Sequence, residues 1–566
     1  MFKTFLFRAM FCTSLLLLAL FLLVSFLSPV FTSESIIFPY SLQPFDICLR
    51  YPIAWHYMKI AYVIFYFLSM LILSNSVYLA FFKDFKFTPK PKEKSQDSSL
   101  SLLLGEDIII PEKGLYQNML VTGTIGTGKT SSAMYPFCEQ LISYEALNDF
   151  KKIGMLILDV KGNFYKQVLE IAKRNFREDD VIVIELNGKY RYNPLDKPNL
   201  KPVVLADRLK TILTLFSKNN SDSYWFDKAA QVLTEAIKLC RFYNNGYVTF
   251  TEIQKLISSS DYFKSKILIL KEAFKNGAFS QKDCFDLLTA IEFFETEFYS
   301  LDSRVLSILQ SEITRITSVF TSDYEISSLF CPAKENLNFS GFRDVLEKGK
   351  IVVLHMNIAE HQNLAKILAA YLKLDFQAEV MASLSYEIAP RTTAFLCDEF
   401  QEFVTASDAN FFAQSREARC INIVSTQSYS SLLDTLKDQT SVRVIVQNLI
   451  NKLWFRTDDS FTIEEIQKQL GKEEKLRTSS TLSENAKETN YDFLTRTFRS
   501  QNSNLAESVN TYTQTDFIYD TNFFTSELKT FECLAFCSNG FEIMKPKKIK
   551  LTPYFQNRKD CDSYEK

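Results

Sequence analysis

Metal and disulfide chemistry have little to work with in this chain. It holds only three histidines in 566 residues, and its eleven cysteines form no C-x-x-C pair. Cys533 and Cys537 stand four apart without companions, so no zinc site is proposed and the cysteines read as reduced cytosolic core residues. Charge of one sign is also missing: 64 Lys and Arg meet 66 Asp and Glu, a net charge of −2. No global attraction to nucleic acid follows from that balance. Glycine is scarce, at fourteen.

Three of those glycines nevertheless crowd into Val121-Thr-Gly-Thr-Ile-Gly-Thr-Gly-Lys-Thr130. Gly123, Gly128, Lys129 and Thr130 fit the G-x-x-x-x-G-K-[ST] phosphate loop. Asn118 to Val121 before it reads as a buried strand, and Ser131 to Met134 after it can open a helix. That strand–loop–helix setting separates a working loop from a chance match. The expected nucleotide contacts are Gly123, Thr124, Ile125, Gly126, Thr127, Gly128, Lys129, Thr130 and Ser131. Glycines let backbone N–H groups curl around the β-phosphate, Lys129 neutralises the β/γ oxygens, and the Thr130 hydroxyl ligates Mg²⁺. The chain is expected to bind ATP with Mg²⁺.

Hydrophobic residues make up 47% of the chain, with 51 phenylalanines. Ala9 to Phe31 runs without a charge, and Ile60 to Phe82 is a second apolar run, each long enough to cross a bilayer at ~1.5 Å per residue. The first run is too long for a cleavable signal and lacks an A-x-A-like site after it. Lys83, Lys86, Lys90, Lys92 and Lys94 follow the second. By the positive-inside rule this predicts a multi-pass protein of the cell (cytoplasmic) membrane with both termini cytoplasmic.

The expected domains are a transmembrane hairpin at 1–82, a linker at 83–99, and a nucleotide domain in two parts, 100–195 and 336–555. An all-helical insertion at 196–335 separates those parts, and 556–566 is a tail. The strands expected are Ile153–Asp159, Val181–Glu185, Ile351–Met356, Ala394–Cys397, Ile421–Val424 and Lys452–Phe455. Helical periodicity covers Leu205–Phe216, Phe226–Phe242, Thr251–Ser258 and Phe285–Ile316. Alternating strands and helices argue an α/β fold with ligands at the strand carboxyl ends. Arg477 to Thr513, rich in Ser, Thr and Asn, reads as a surface excursion.

Arg391-Thr-Thr-Ala-Phe-Leu-Cys-Asp-Glu399 is a strand ending in adjacent acids, the Walker B pattern. Asp398 would hold the metal's water shell and Glu399 would deprotonate the attacking water. Gln427 ends a following strand, where its amide can report the γ-phosphate. Arg416 and Arg419 lie between those strands; either could reach a neighbouring subunit's nucleotide as an arginine finger, Arg416 being the stronger candidate.

Taken in this order, the elements resemble the type IV secretion coupling proteins, the TraG/TraD-like conjugative DNA-transfer ATPases. Asp159-Val-Lys161-Gly162 is close to the family's Asp-Pro-Lys-Gly-Glu, with Val160 and Asn163 as departures. Tyr192-Asn-Pro-Leu195, Trp225-Phe-Asp-Lys-Ala229, Ser415-Arg416 and Thr426-Gln427-Ser428 also match. The resemblance implies a RecA/FtsK-like P-loop motor with an inserted helical domain, acting as a membrane-anchored homo-hexamer. It would deliver relaxase-bound single-stranded DNA, or protein, to type IV secretion channel proteins. Two other functions stay open: an FtsK-type duplex DNA translocase, and an ATP-switched substrate receptor that does not translocate.

Overall fold

The computed structural model describes residues 99–556, apart from 216–222, 277–278, 357, 386–389, 486–490, 493–496 and 499–503. The expectation of a multi-pass membrane protein is corrected here. Among the described residues no helix is long and apolar enough to cross a membrane. The longest, Ile358–Ala382, carries Lys366, Lys373, Asp375 and Glu379 along its length. The apolar runs at 9–31 and 60–82 and the 83–98 linker lie outside the described residues.

A hairpin of β1 (Ser101–Leu104) and β2 (Ile108–Pro111) precedes β3 (Met119–Thr122). Then come β4 (Gly154–Leu158), β5 (Val181–Ile184), β6 (Ile351–Leu354), β7 (Thr393–Cys397), β8 (Cys420–Thr426) and β9 (Asn451–Phe455). Two antiparallel ribbons follow, β10 (Lys472–Asn485) with β13 (Asn504–Phe517) and β11 (Tyr491–Asp492) with β12 (Thr497–Phe498). Last are β14 (Glu532–Phe536) and β15 (Lys547–Lys550).

One nine-stranded sheet runs β15-β14-β9-β3-β8-β7-β4-β6-β5. Pairing is parallel from β9 to β5, and β14 and β15 extend it antiparallel. Both faces are covered, so β3, β4, β6 and β7 are buried at every position and read as continuous apolar runs. Their side chains alternate between two cores. Leu120, Leu156, Val352, Phe395 and Val424 enter one, while Val121, Ile157, Val353, Leu396 and Ile423 enter the other, beside the helices Tyr135–Ser143 and Phe164–Arg174.

Between β5 and β6 the described chain is helical: Pro202–Leu215, Ser223–Tyr243, Phe250–Ser258, Ser260–Lys275, Gln281–Glu292, Ser303–Thr321 and Tyr324–Phe330. Thr249, Ser259, Ser280, Asp302 and Asp323 each accept a backbone N–H at a helix start. The single helix expected from Phe285 to Ile316 is two. A π-helical turn at Phe293–Phe298 ends the first, and the Asp302 carboxylate caps the second through Arg304 N–H at 3.1 Å. These helices bury Leu233, Phe250, Phe294 and Phe320 in the same core that takes Leu120 and Phe395 from the sheet. A buried ionic junction adds to the join: Asp375 pairs with Arg208 at 2.5 Å and Lys197 at 3.2 Å, and accepts from the Tyr192 hydroxyl.

The Ser/Thr/Asn-rich excursion is the β10–β13 ribbon, paired over its whole length. Near its base Leu476 is 76% and Tyr512 50% exposed.

Candidate nucleotide site

The loop from Gly123 to Gly128 joins β3 to a π-helical turn, Lys129–Met134, that leads into Tyr135–Ser143. Gly126 (φ +79°) and Gly128 (φ +98°) take the left-handed backbone that turns successive N–H groups inward. Gly128 has a second constraint, since a Cβ there would strike the Phe531 ring. Gly126 meets nothing within 4 Å, and Ile125 at the loop tip is 77% exposed. Thr127 Oγ1 donates to the Thr124 carbonyl at 2.8 Å and braces the loop.

Lys129 is 6% exposed, and its ammonium turns back onto the Gly123 carbonyl and, at 3.2 Å, the Thr124 carbonyl. Burial pushes its pKa down; Glu399 and Asp398 pull it up, and the neighbouring Lys161 charge depresses it further. An ammonium satisfied only by loop carbonyls, on a loop with two left-handed glycines, fits a phosphate group. Thr130 Oγ1 donates to Asp398 Oδ2 at 2.7 Å, across the sheet from β3 to the end of β7. A hydroxyl and a carboxylate so placed fit a hard, oxygen-seeking cation such as Mg²⁺. Ser131, the last loop candidate, donates to the Gly128 carbonyl at 3.3 Å.

Glu399 follows Asp398 with φ +53°, a strained conformation for a non-glycine residue. Its carboxylate is held by two amides: Gln427 Nε2 donates to Oε2 at 3.2 Å and Gln401 Nε2 at 2.7 Å. Thr426 Oγ1 in turn donates to Gln401 Oε1 at 2.9 Å. Ser425 donates to Asp398 Oδ1. The structure thus brings Lys129, Thr130, Asp398, Glu399 and Gln427 to one sheet edge. Gln401 and Ser425 belong with them and are absent from the sequence reading. Their only sequence signal is position, within two residues of Glu399 and Gln427.

Asp159 at the end of β4 accepts the backbone N–H groups of Lys161, Asn163 and Phe164 at 3.1, 2.9 and 3.2 Å. Burial pushes its pKa up. It therefore shapes the turn into Phe164–Arg174 and leaves Lys161 exposed beside Lys129. Those backbone bonds work without the proline and acid that Val160 and Asn163 replace.

Arg416 is not among this group. It precedes β8 and so lies at the amino edge of the parallel sheet, opposite the loop that leaves the carboxyl end of β3. Seven residues of strand at ~3.3 Å each separate the two edges by about 20 Å. Its side chain is exposed. Ser415 beside it is fully buried, bonded to Asn118 and Asn422, and fixes the turn that presents Arg416. Arg419 is engaged within the chain, with Glu112 at 2.7 Å and the Tyr116 hydroxyl at 3.2 Å.

Residues 392–516, from β7 through β13, match the family described as the TraM recognition site of TraD and TraG. Among solved structures, the chain is similar to the plasmid coupling protein TrwB. With TrwB bound to the non-hydrolysable GTP analogue GDPNP it shares 13% identity and a TM-score of 0.54, covering 80% of this chain and 89% of that one. With TrwB bound to ADP and Mg²⁺ the values are 14%, 0.52, 78% and 87%. This chain resembles the type IV coupling proteins. At such identity the likeness to TrwB is one of fold, and the coupling-protein fold here is an α/β mixed sheet with its loop site at the strand carboxyl ends. The unbound conjugative coupling protein TrwBdeltaN70 gives the same picture, at 13% identity and a TM-score of 0.53, with 79% of this chain and 87% of that one covered. No curated protein matches the chain by sequence.

Proposed function

We propose that this chain is an ATP hydrolase of conjugative transfer, coupling relaxase-bound single-stranded DNA or protein substrate to a type IV secretion channel. Its motor would be RecA/FtsK-like, built from 100–195 and 336–555, with 196–335 as a helical insertion and a homo-hexamer as the working assembly. The single observation that carries the catalytic part is the Thr130–Asp398 contact, with Glu399 held beside it by two amides. It brings residues 268 positions apart to one point.

In this reading Lys129 and Lys161 hold phosphate charge, the loop N–H groups orient it, and Thr130 and Asp398 hold the metal. Bound Mg·ATP would supply the scissile phosphoanhydride and the Lewis acid. Glu399 takes the proton of water, and Gln401 and Gln427 fix which carboxylate oxygen faces it. Arg416 belongs to a neighbouring copy's site, because its own lies at the other sheet edge. The TrwB complexes with ADP–Mg²⁺ and with GDPNP support a nucleotide role by analogy of fold. An FtsK-type duplex DNA translocase is the alternative reading.

The test is Mg²⁺-dependent ATP hydrolysis by the full chain, with and without single-stranded DNA. Turnover raised by single strands supports coupling, whereas stimulation by duplex alone supports the alternative. Nucleotide binding without turnover under either condition leaves the switched receptor.

A further inference from the structure

Lys452 on β9 has no part in the nucleotide site. It is 3% exposed, yet among the described residues no hydrogen bond or ion pair reaches its ammonium. The Phe536 ring lies under it, with its centroid 5.9 Å away. Burial alone pushes the ammonium down to about 8, with no nearby acid to restore it. Lysines are almost never fully buried without a partner.

The ammonium lines a cavity of about 480 Å³ between the helices Gln439–Asn448 and Ser460–Leu470, over β9 and β14. Volumes of this order hold a small ligand or a large side chain. Val442, Phe461 and Phe536 make apolar walls. The cavity's carboxylate, Glu465, is already taken: Arg443 binds it twice, at 2.9 and 3.2 Å, and Lys468 at 3.1 Å. A second donor, the Tyr429 hydroxyl, accepts from Trp454 Nε1 at 3.0 Å and donates to nothing among the described residues. The lining therefore combines apolar surface, three cations against one anion, and two donors in want of an acceptor.

We propose that this cavity binds the free carboxylate end of a partner polypeptide whose last side chain is apolar. The carboxylate meets Lys452 and Tyr429, and the terminal side chain fills the apolar walls. A polypeptide is favoured over a free fatty acid by the rim. There Gln447 and Gln469 are exposed. Their amides match the N–H and C=O groups of a preceding peptide unit, and an acyl chain has none. The site is independent of the nucleotide reading.

Isothermal titration of the full chain with three probes tests this: N-acetyl-Ala-Ala-Leu-Phe as the free acid, the same peptide as its C-terminal amide, and decanoate. The free acid should bind about tenfold or more tighter than the amide, because only it supplies the charged acceptor. Lys452→Met, which keeps length and apolar bulk, should abolish that preference. The same variant should also raise the thermal midpoint by removing an unpaired buried cation. Equal binding of acid and amide, or no binding of either, overturns the proposal. Decanoate binding tighter than the peptide assigns the cavity to lipid and overturns it as well. A lowered midpoint in Lys452→Met would mean a structural partner for the ammonium, and the premise would fall.

Discussion

Arg416 and Glu399 offer the sharpest test of a shared active site, because the fold puts them at opposite edges of one sheet. With about 20 Å of β8 between those edges, Arg416 cannot reach the phosphates held by its own Lys129. Arg416→Ala should bind nucleotide normally and lose turnover by about 10³-fold, the order of effect of a finger supplied in trans. Glu399→Gln should be equally inactive for a different reason, since its metal-holding Asp398 is intact. In a head-to-tail ring each interface joins one copy's Glu399 to the next copy's Arg416. When the two mutants are mixed, an interface works only if the Glu399 side comes from the Arg416 mutant and the Arg416 side from the Glu399 mutant. At equal mixing this holds for about one interface in four, so the rate should climb to about a quarter of wild type. It should fall symmetrically toward zero as either mutant dominates. The assay is steady-state phosphate release across a mixing series at constant total protein. A flat line at the mutant baseline refutes the shared site. A wild-type rate in Arg416→Ala alone refutes any role for that arginine.

Other outcomes follow from single contacts. Lys129→Ala should lose ATP binding and turnover together, whereas Glu399→Gln should retain a fluorescent ATP analogue and release no phosphate; turnover at the wild-type rate in Glu399→Gln would remove it as the base. Gln401→Ala frees one of the two amides on Glu399 Oε2 and should lower kcat with KM unchanged, on the order of tenfold, because a misplaced base weakens general-base catalysis but not binding. A raised KM with normal kcat would contradict that role. Arg177, fully buried, donates to the Ile142, Ile153 and Gly349 carbonyls at 3.3, 2.9 and 2.5 Å, while its partner Asp180 keeps Lys152 and Lys350. Arg177→Met strands three carbonyls at ~1 kcal/mol each, so denaturant unfolding should show a loss of about 3 kcal/mol; a loss below 1 kcal/mol would mean those carbonyls are satisfied otherwise.

The central strands were legible because burial on both faces leaves continuous apolar runs, such as Ile153–Leu158 and Ile351–Leu354. The loop was legible because glycine is rare in this chain and clusters there. What stayed hidden has physical reasons. Gln401 and Ser425 act through side chains that meet only when β7 and β8 pair, and neither residue type signals a site alone. The β10–β13 ribbon has exposed positions on both faces near its base, so no alternation of burial marks it as strand. The break before Ser303 was missed because Phe293, Phe294 and Phe298 continue a helical apolar pattern into the turn that ends the helix. Residue type alone does not separate Arg416 from Arg419; Glu112, just over three hundred residues upstream, engages Arg419 and leaves Arg416 exposed.

The core shared by the sheet and the 202–330 helices has a practical consequence for dissection. Phe395 leads to the adjacent acids Asp398 and Glu399, and its ring lies in the same apolar mass as Leu233, Phe250 and Phe320. Cutting the helices out and closing the gap with a flexible linker would uncover the side of Ile358–Ala382 that packs against Pro202–Leu215 and open Asp375 to water. The remainder would carry that apolar helix side in water, prone to self-association whether or not its phosphate loop were intact. Truncation across 196–335 is therefore a poor route to a minimal nucleotide domain, and loss of function in such a truncation would carry no information about what the helices recognise.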